Sequence, residues 1–411
     1  KQLCNPDCQA SSKLLFVLPK CLAQKTKDHT MTLNGNEPSR SRDIIVVGAG
    51  IAGLALTRQL VSRNFDVVTL ERRNEIVDAG LAINLPGNAI AALNELGLQE
   101  QVAAAGTPVL KRQYRTDTDR LLFEIDEERF WGRENLPRCL RRSELATILL
   151  EGIPHDTIKR RADVASIFSG DDHVEVKTTD GELLRAKYLI GADGVFSTVR
   201  EMTLSASTTS RSLLAQSSWR FIAKNPGVDC WTIWMGRQAM VLLIPVGRDD
   251  VYCWATVTDD REEPISINSL VQRTEKFPLA PRRVLEEALS DPARIHLSPI
   301  DEIDLPRWGR GRTVLIGDAA HATAPVWAQG AALALEDSLV LSDLLVKNED
   351  GSDLAEHFTQ LRRSRVRHVK EMTDRTAKVS HLPVALRNLL FPLLGPLSYK
   401  NTYGPLKRSF R

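Results

Sequence analysis

The chain has 411 residues, of which 43% are hydrophobic and 26% charged, as is typical of globular enzymes. Its 54 basic and 52 acidic side chains leave a net charge of +2, which argues against nucleic acid as a partner. No apolar run reaches the roughly 20 residues that span a bilayer. The scattered cysteines form no Cys-x-x-Cys pair and predict reduced thiols, a cytoplasmic compartment and no metal site: Cys4, Cys8, Cys21, Cys139, Cys230 and Cys253.

The first 42 residues predict a disordered or leader tail. They are mostly polar around one short apolar patch, "LLFVLP". That patch is short for a signal-peptide core, and no small-residue cleavage site follows it. Import into an organelle is the alternative to a cytoplasmic location.

The stretch "DIIVVGAGIAGLALTRQL" predicts a dinucleotide-binding turn between a buried strand and a helix. Gly48 permits a tight turn, Gly50 lets the backbone approach a pyrophosphate, and Gly53 lets the helix pack closely on the strand. Glu71 ends the next predicted strand, 18 residues after Gly53. A carboxylate there suits a ribose hydroxyl.

Several further elements follow in chain order. Residues 86–98 predict a helix that ends near Gly97, and residues 143–153 predict a helix with Ser143 as its N-cap. Residues 173–194 predict a hairpin that continues into an apolar strand. This strand ends in a second motif, "LIGADGVFSTVR", where Asp193 is either a ligand-binding residue or part of an ordinary turn.

Alternating apolar and polar residues from Leu213 to about Thr258 predict an antiparallel sheet. We interpret its tryptophans as sheet core: Trp219, Trp231, Trp234 and Trp254. Arg220 is the candidate catalytic residue, as a polar contact to substrate or cofactor. A solvent-exposed arginine at a strand edge is the alternative.

A third motif, "VLIGDAAHATAPVWAQGAALALED", returns to the strand-and-turn pattern of the first. Asp318 can accept a hydrogen bond from a sugar-like hydroxyl, and the helix that begins near Gly330 points backbone N–H groups outward. We interpret His321 as a packed residue rather than a catalytic base. Beyond it, residues 353–378 predict a charged helix, and residues 382–397 a core or docking segment, with peripheral membrane contact as the alternative.

Together the three motifs, with "RRSEL", resemble the single-component FAD-dependent aromatic hydroxylases, such as p-hydroxybenzoate, salicylate, 6-hydroxynicotinate, quinolone and urate hydroxylases. The resemblance covers about residues 43–375. It implies an α/β fold: a Rossmann-like FAD-binding domain with an inserted antiparallel β-sheet substrate domain and a C-terminal helical segment. The implied division is residues 43–205 and 311–350 for FAD, residues 206–310 with part of 107–138 for the substrate sheet, and residues 351–411 for the helical segment.

The same resemblance implies the residues that hold FAD and the reaction. NAD(P)H and O2 would hydroxylate a small aromatic or heteroaromatic substrate through a flavin C4a-hydroperoxide, in a monomer or homodimer. Epoxidation, oxidative decarboxylation and flavin binding without turnover are the alternatives. The implied FAD-binding residues are Gly48, Gly50, Gly53, Glu71, Gly80, Ala82, Arg142, Asp193 (which also serves NAD(P)H), Asp318, Gly330 and Ala331.

The chain departs from the family pattern beside the flavin. Ala328 stands where the family has glycine, and Trp327 is bulky for a residue under the ring. If position 328 needs a positive φ, an alanine there is strained by roughly 1 kcal/mol.

Overall fold

The computed structural model describes residues 41–75, 81–204, 209–213, 215, 217–258, 266–347, 354–380 and 382–410. The predicted tail therefore lies outside the described residues, apart from its last two positions. The first strand begins at Arg42, one residue before the predicted domain boundary.

The described strands, in chain order, are β1 (Arg42–Val47), β2 (Val67–Glu71), β3 (Ala82–Leu85), β4 (Thr107–Pro108), β5 (Lys111–Thr116), β6 (Leu121–Asp126), β7 (Arg138–Arg141), β8 (Ile158–Arg160), β9 (Val164–Ser169), β10 (Val174–Thr178), β11 (Leu183–Gly191), β12 (Thr209–Arg211), β13 (Ser217–Lys224), β14 (Trp231–Met235), β15 (Ala239–Val246), β16 (Asp250–Val257), β17 (His296–Pro299), β18 (Asp301–Ile303), β19 (Gly309–Arg310) and β20 (Thr313–Leu315).

The described helices are α1 (Ile51–Ser62), α2 (Gly87–Glu95), α3 (Gln99–Ala105), α4 (Glu127–Trp131), α5 (Arg142–Leu150), α6 (Thr198–Leu204), α7 (Ile267–Arg273), α8 (Leu279–Ser290), α9 (Asp318–His321), α10 (Gly330–Lys347), α11 (Leu354–Ser380) and α12 (Val384–Tyr403).

A mixed sheet forms the first layer of the fold, in the order β19-β20-β11-β1-β2-β8, with β10 and β9 continuing from β11. The strands from β20 to β8 are parallel, whereas β9, β10 and β19 join in antiparallel pairs. Residues 44–47 are buried, as the central strand of a parallel sheet requires. Helices α1, α2 and α10 pack together beside this sheet, and the strand ends that carry the three motifs meet at one edge.

A seven-stranded sheet, in the order β17-β13-β16-β15-β14-β5-β6, forms the second layer. Its strand pairs are antiparallel except β14 with β5. Side chains on one face, including Trp219 and Trp234, form a core that contains residues of α8. Side chains on the other face line a cavity. Because neighbouring residues of a strand point to opposite faces, the sheet separates a core from a wall of the site.

Most predicted elements are confirmed, and one boundary is wrong. The hairpin, the antiparallel sheet and the helices after residues 86 and 330 lie where the sequence predicts them. Ser143, however, is not an N-cap: α5 begins at Arg142, and Arg141 is the N-cap. The backbone N–H of Arg141 donates to Glu144 Oε2 at 2.8 Å, so the third helical residue satisfies the helix start.

Residues 384–403 form α12, a helix with one docked side, as the core-or-docking prediction requires. Arg387 is buried and donates to the carbonyl oxygens of Met235 and Gly236 at 2.8 and 3.1 Å. The other side is exposed and carries Leu386, Leu389, Leu393, Leu394 and Leu397. Across the part of the chain that the structure describes, each helix is too short or too polar to cross a bilayer.

Candidate active site

The two layers enclose one cavity of about 650 Å³ between them. Its first wall consists of the turns that follow the parallel strands, and its second wall is the open face of the seven-stranded sheet. Nine of the predicted cofactor residues line it: Gly48, Gly50, Glu71, Ala82, Arg142, Asp193, Asp318, Gly330 and Ala331. Gly53 lies behind the wall, and Gly80 lies outside the described residues.

The three motif glycines have three different physical requirements. Gly48 has φ +102°, and a Cβ there would lie 2.5 Å from the carbonyl oxygen of Ala192. A Cβ on Gly53 would lie 1.8 Å from the carbonyl oxygen of Gly48, so the helix cannot approach the strand with any side chain at this position. Gly50 has open space where its Cβ would stand and lines the cavity. Gly48 and Gly53 therefore build the turn, and Gly50 leaves room for a phosphate at the N-terminus of α1.

Glu71 is held by the turn that it faces. The carboxylate is buried and accepts the backbone N–H of Ala49 at 2.8 Å and that of Arg73 at 2.9 Å. A carboxylate has about four acceptor positions, so it can still accept a ribose hydroxyl from the cavity.

Asp193 has a structural task that accounts for part of its motif. Its carboxylate accepts Ser197 Oγ at 2.5 Å and the backbone N–H of Val199 at 3.0 Å, which fixes the start of α6. Burial raises the pKa of Asp193 despite these hydrogen bonds. Arg200 then donates to the carbonyl oxygen of Ala319 at 3.0 Å and so joins the second motif to the third.

A buried network of charged side chains around Asp337 holds the third motif in place. Asp337 accepts the backbone N–H of Gly317 at 2.9 Å, lies 2.7 Å from His321 Nε2, and accepts Arg362 Nε at 2.8 Å. Burial opposes the charge, but His321 and Arg362 outweigh it and lower the pKa of Asp337 to about 2. His321 is therefore a packed residue, as predicted, and Asp318 is left to face the cavity.

The turn before α10 contains the two departures from the family pattern. Ala328 has φ +53° and ψ +35°, the left-handed conformation that the missing glycine would favour. Trp327 is buried and lines the cavity, and its carbonyl oxygen accepts Tyr403 Oη at 2.7 Å. The Tyr403 ring, at the end of α12, also packs edge-on against the Trp327 ring with 5.5 Å between the ring centres, so α12 holds the bulky side chain in place.

Arg220 extends from β13 into the cavity and is half-buried, so it is not a solvent-exposed edge residue. Its guanidinium donates to Ser298 Oγ. Burial lowers the pKa of Arg220, and the positive charge of Arg142 lowers it further. Tyr252 and Asp318 act in the opposite direction and raise this pKa. The structure thus brings Arg220 together with two of the predicted cofactor residues.

Sequence reasoning missed several residues of the sheet wall. Arg112 and Tyr114 on β5 line the cavity, as do Trp231 and Trp254, which the sequence interpretation assigned to the core. All four tryptophans are buried in a core, as the sequence predicts: Trp219 and Trp234 pack in the core with α8, whereas Trp231 and Trp254 pack in the core on the cavity side of the sheet. The alternation of faces along each strand is the signal that separates the two pairs.

With this geometry in place, the protein is a flavoprotein with a Rossmann-like layer and an antiparallel sheet. A family model described as "FAD binding domain" matches residues 41–376. The chain belongs to this family, whose aromatic-hydroxylase members are FAD-dependent monooxygenases, and the prediction of such an enzyme is confirmed.

Curated relatives and solved structures agree with this assignment. The chain is 29% identical to the 2-heptyl-3-hydroxy-4(1H)-quinolone synthase of Pseudomonas aeruginosa, over 88% of this chain and 97% of that protein. It is 29% identical to a 3-amino-4-hydroxybenzoate 2-monooxygenase of Streptomyces cremeus, over 83% and 88% respectively. Klebsiella pneumoniae HpxO, solved with FAD and uric acid, has the same fold with a TM-score of 0.79 and 23% identity, over 90% of this chain and 98% of that one.

Proposed function

We propose that this protein uses NAD(P)H and O2 to hydroxylate a small aromatic or heteroaromatic substrate held between FAD and the seven-stranded sheet. One observation carries the proposal: a single cavity has an FAD cradle as one wall and a largely apolar sheet face as the other. That face presents Ile233, Met235, Met240, Leu242 and Ile244. A planar apolar ring fits between such walls, with a few polar groups to orient it.

We assign the cofactor contacts from the cavity geometry and the resemblance. Glu71 would accept a hydrogen bond from a hydroxyl of the adenosine ribose, and the backbone N–H groups at the N-terminus of α1 would donate to the pyrophosphate. The backbone N–H groups at the N-terminus of α10 would donate to the flavin ring. The remaining contacts come from Ala82, Arg142, Asp193, Asp318, Gly330 and Ala331, with Gly53 shaping the turn from behind.

When bound, FAD supplies the redox chemistry by which one oxygen atom of O2 is transferred to the ring. The chain's own residues exclude water and orient the substrate. The apolar side chains of β14 and β15 keep bulk water from the ring. Arg220 provides a guanidinium donor close to Arg142 and Asp318, which places it to contact the substrate or the flavin.

In this account the cofactor wall comes from residues 43–205 and 311–350. The substrate wall comes from residues 206–310 with part of 107–138. The described cysteines are buried free thiols, which supports the cytoplasmic location: Cys139, Cys230 and Cys253. We propose action as a monomer or homodimer.

A turnover assay tests the proposed function. The purified protein, loaded with FAD, is mixed with NADH or NADPH and with a panel of quinolones, hydroxypyridines and aminohydroxybenzoates. Oxygen consumption and peroxide release are followed together. We expect at least one aromatic compound to stimulate NAD(P)H oxidation with less than one peroxide per NAD(P)H. A protein that stays colourless with added FAD, or releases all oxygen as peroxide with every compound, contradicts the proposal.

The contribution of Arg220 is tested with Arg220→Met in the same assay. Loss of a charge-assisted hydrogen bond of roughly 1.5–3 kcal/mol predicts a 10- to 100-fold lower kcat/KM. Arg237→Met is the control, because Arg237 is exposed at the start of β15 and away from the cavity lining. Equal kcat/KM values for Arg220→Met and the wild type would remove Arg220 from the site.

A further inference from the structure

The sheet wall carries hydrogen-bond donors that have no partner among the described residues. Four such donors are buried nitrogen atoms of sheet residues that line the cavity: Arg112 Nη2, Arg220 Nε, Trp231 Nε1 and Trp254 Nε1. A buried donor without a partner costs free energy, so each one calls for an explanation. Because these groups can only donate, the molecule that completes them must present acceptors.

Two of these donors lie together at the edge of the wall far from Arg220. Arg112 on β5 is the direct cross-strand neighbour of Trp231 on β14, and its Cζ lies 5.1 Å from the centre of the Trp231 ring. Four strand steps separate β5 from β13, about 19 Å at the usual spacing. This pair and Arg220 therefore occupy opposite sides of the sheet face.

The rest of the Arg112 guanidinium is already engaged. Nε forms an ion pair with Glu127, and Nη1 donates to Tyr403 Oη at 3.3 Å. Tyr399 Oη donates to the other oxygen of Glu127 at 2.6 Å and so fixes the carboxylate. Arg112 is 1% exposed, and its Nη2 has no hydrogen-bond partner among the described residues.

The local charge decides which acceptor fits. Burial disfavours the guanidinium charge, but Glu127 together with the neighbouring tyrosines outweighs burial and raises the pKa of Arg112. The pair is therefore a cation beside an anion, with no net charge. A carboxylate brought here would lose its hydration and would lie near the buried Glu127, which is 0% exposed. A neutral oxygen accepts the same donors without adding a charge.

We propose that Arg112 Nη2 and Trp231 Nε1 form an oxygen-binding subsite that recognises an uncharged acceptor of the substrate, of the ring-carbonyl or phenol type. The subsite rests on the proposed function and deepens it, because it names the substrate class. It orients the ring against the apolar side chains between the two edges of the sheet. Its two residues determine specificity and take no part in electron transfer.

Two conservative variants test this subsite. Trp231→Phe keeps an aromatic ring beside Arg112 and removes the indole N–H together with the five-membered ring that carries it. Arg112→Lys keeps a cation beside Glu127 and removes the planar fork that carries Nη2. Trp219→Phe is the matched control, since Trp219 lies on the opposite face of the same sheet, in the core.

The readout is equilibrium binding to the oxidised, FAD-loaded protein, followed by the change in the flavin absorption spectrum. The probes are 4(1H)-quinolone, quinoline, which lacks the oxygen, and quinoline-4-carboxylate, which is charged. In the wild type we expect 4(1H)-quinolone to bind at least about tenfold more tightly than either other probe, the effect of one hydrogen bond to a charged donor. Trp231→Phe and Arg112→Lys should each reduce that preference by about fivefold, and Trp219→Phe should leave it within twofold.

Several outcomes overturn the subsite. Tighter binding of the carboxylate than of the quinolone in the wild type contradicts an uncharged acceptor. An unchanged preference in Trp231→Phe contradicts the role of the indole, and this variant decides the matter if Arg112→Lys does not fold. If all three probes bind and one is oxygenated but the variants leave the preference unchanged, the subsite fails while the proposed function stands. If no aromatic compound stimulates NAD(P)H oxidation, the proposed function itself fails.

Discussion

The cofactor wall and the sheet wall of the cavity are built in different ways. The cofactor wall depends on backbone geometry: Gly48 and Gly53 have no room for a Cβ, and Asp193 and Asp337 hold loops by accepting backbone N–H groups. The sheet wall depends on side chains of alternate residues, whose donors and apolar atoms face the cavity. Backbone requirements restrict the residue type strictly, whereas a sheet face accepts many residues. In the function that we propose, the first wall would therefore determine the cofactor, and the second would determine the substrate.

The largest loss of stability should come from adding a side chain at Gly53, in the turn between β1 and α1. In Gly53→Ala the new Cβ would overlap the carbonyl oxygen of Gly48 at 1.8 Å, so the backbone must move. We expect the free energy of unfolding to fall by at least about 3 kcal/mol, measured by urea denaturation. Gly50→Ala, in the same turn but with open space at its Cβ, is the control. Equal stability of the two variants would refute the close approach of α1 to β1.

The Asp337 ion network that supports the cofactor wall should make the stability of the protein depend on pH in the acid range. Because the pKa of Asp337 is lowered from 3.8 to about 2, its ionised carboxylate stabilises the fold above about pH 4. This contribution, roughly 2 kcal/mol, is lost as the pH falls from about 4 to 2. Asp337→Asn should lower stability at pH 7 and flatten the pH dependence in that window. Asp343→Asn, a partly exposed acid on the same helix, is the control, and an identical acid profile for Asp337→Asn and the wild type would rule out the network.

Charge at the phosphate position offers a smaller test. Asp and Asn both cap helices well, so Gly50→Asp and Gly50→Asn should keep the start of α1. Only Asp places a negative charge where the pyrophosphate is proposed to bind. We expect FAD to bind at least about tenfold more weakly to Gly50→Asp than to Gly50→Asn, by flavin fluorescence titration. Similar affinities would move the pyrophosphate away from this helix.

The smallest effect concerns the departure at the start of α10. Ala328 has φ +53°, which glycine adopts without strain. Ala328→Gly should stabilise the protein by up to about 1 kcal/mol, because relief of strain outweighs the added chain entropy. Ala324→Gly, at φ −59°, should destabilise it. A lower Tm for Ala328→Gly than for the wild type would show that this alanine is not strained.

The sequence predicts the cofactor wall well because its requirements are local. Gly48 and Glu71 follow predicted strands at fixed spacing, and the structure places both on the cavity. The missing family glycine predicts strain at Ala328 if this position needs a positive φ, and its φ of +53° meets that condition. The prediction of Ser143 is wrong because the N-cap is Arg141, two residues earlier, and the Glu144 carboxylate accepts the backbone N–H of Arg141.

The sheet wall was harder to predict because it depends on contacts distant in sequence. Arg112 has no motif around it, and its partners Tyr399 and Tyr403 lie almost 300 residues away on α12. Those tyrosines also lie beyond residue 376, where the family match ends. Strand alternation assigns Trp231 and Trp254 to one face of the sheet and Trp219 and Trp234 to the other. It does not say which face lines the cavity, because that depends on what packs against each face.

The most direct test of the account is the fate of molecular oxygen. The FAD-loaded protein is supplied with NAD(P)H, ¹⁸O₂ and an uncharged aromatic compound selected from the binding assay, and the products are analysed by mass spectrometry. We predict one ¹⁸O atom in the aromatic product of the wild type, and less of that product relative to peroxide in Trp231→Phe. Release of all the ¹⁸O as peroxide or water, with every aromatic compound unchanged, would contradict the assignment of this cavity as a monooxygenase site.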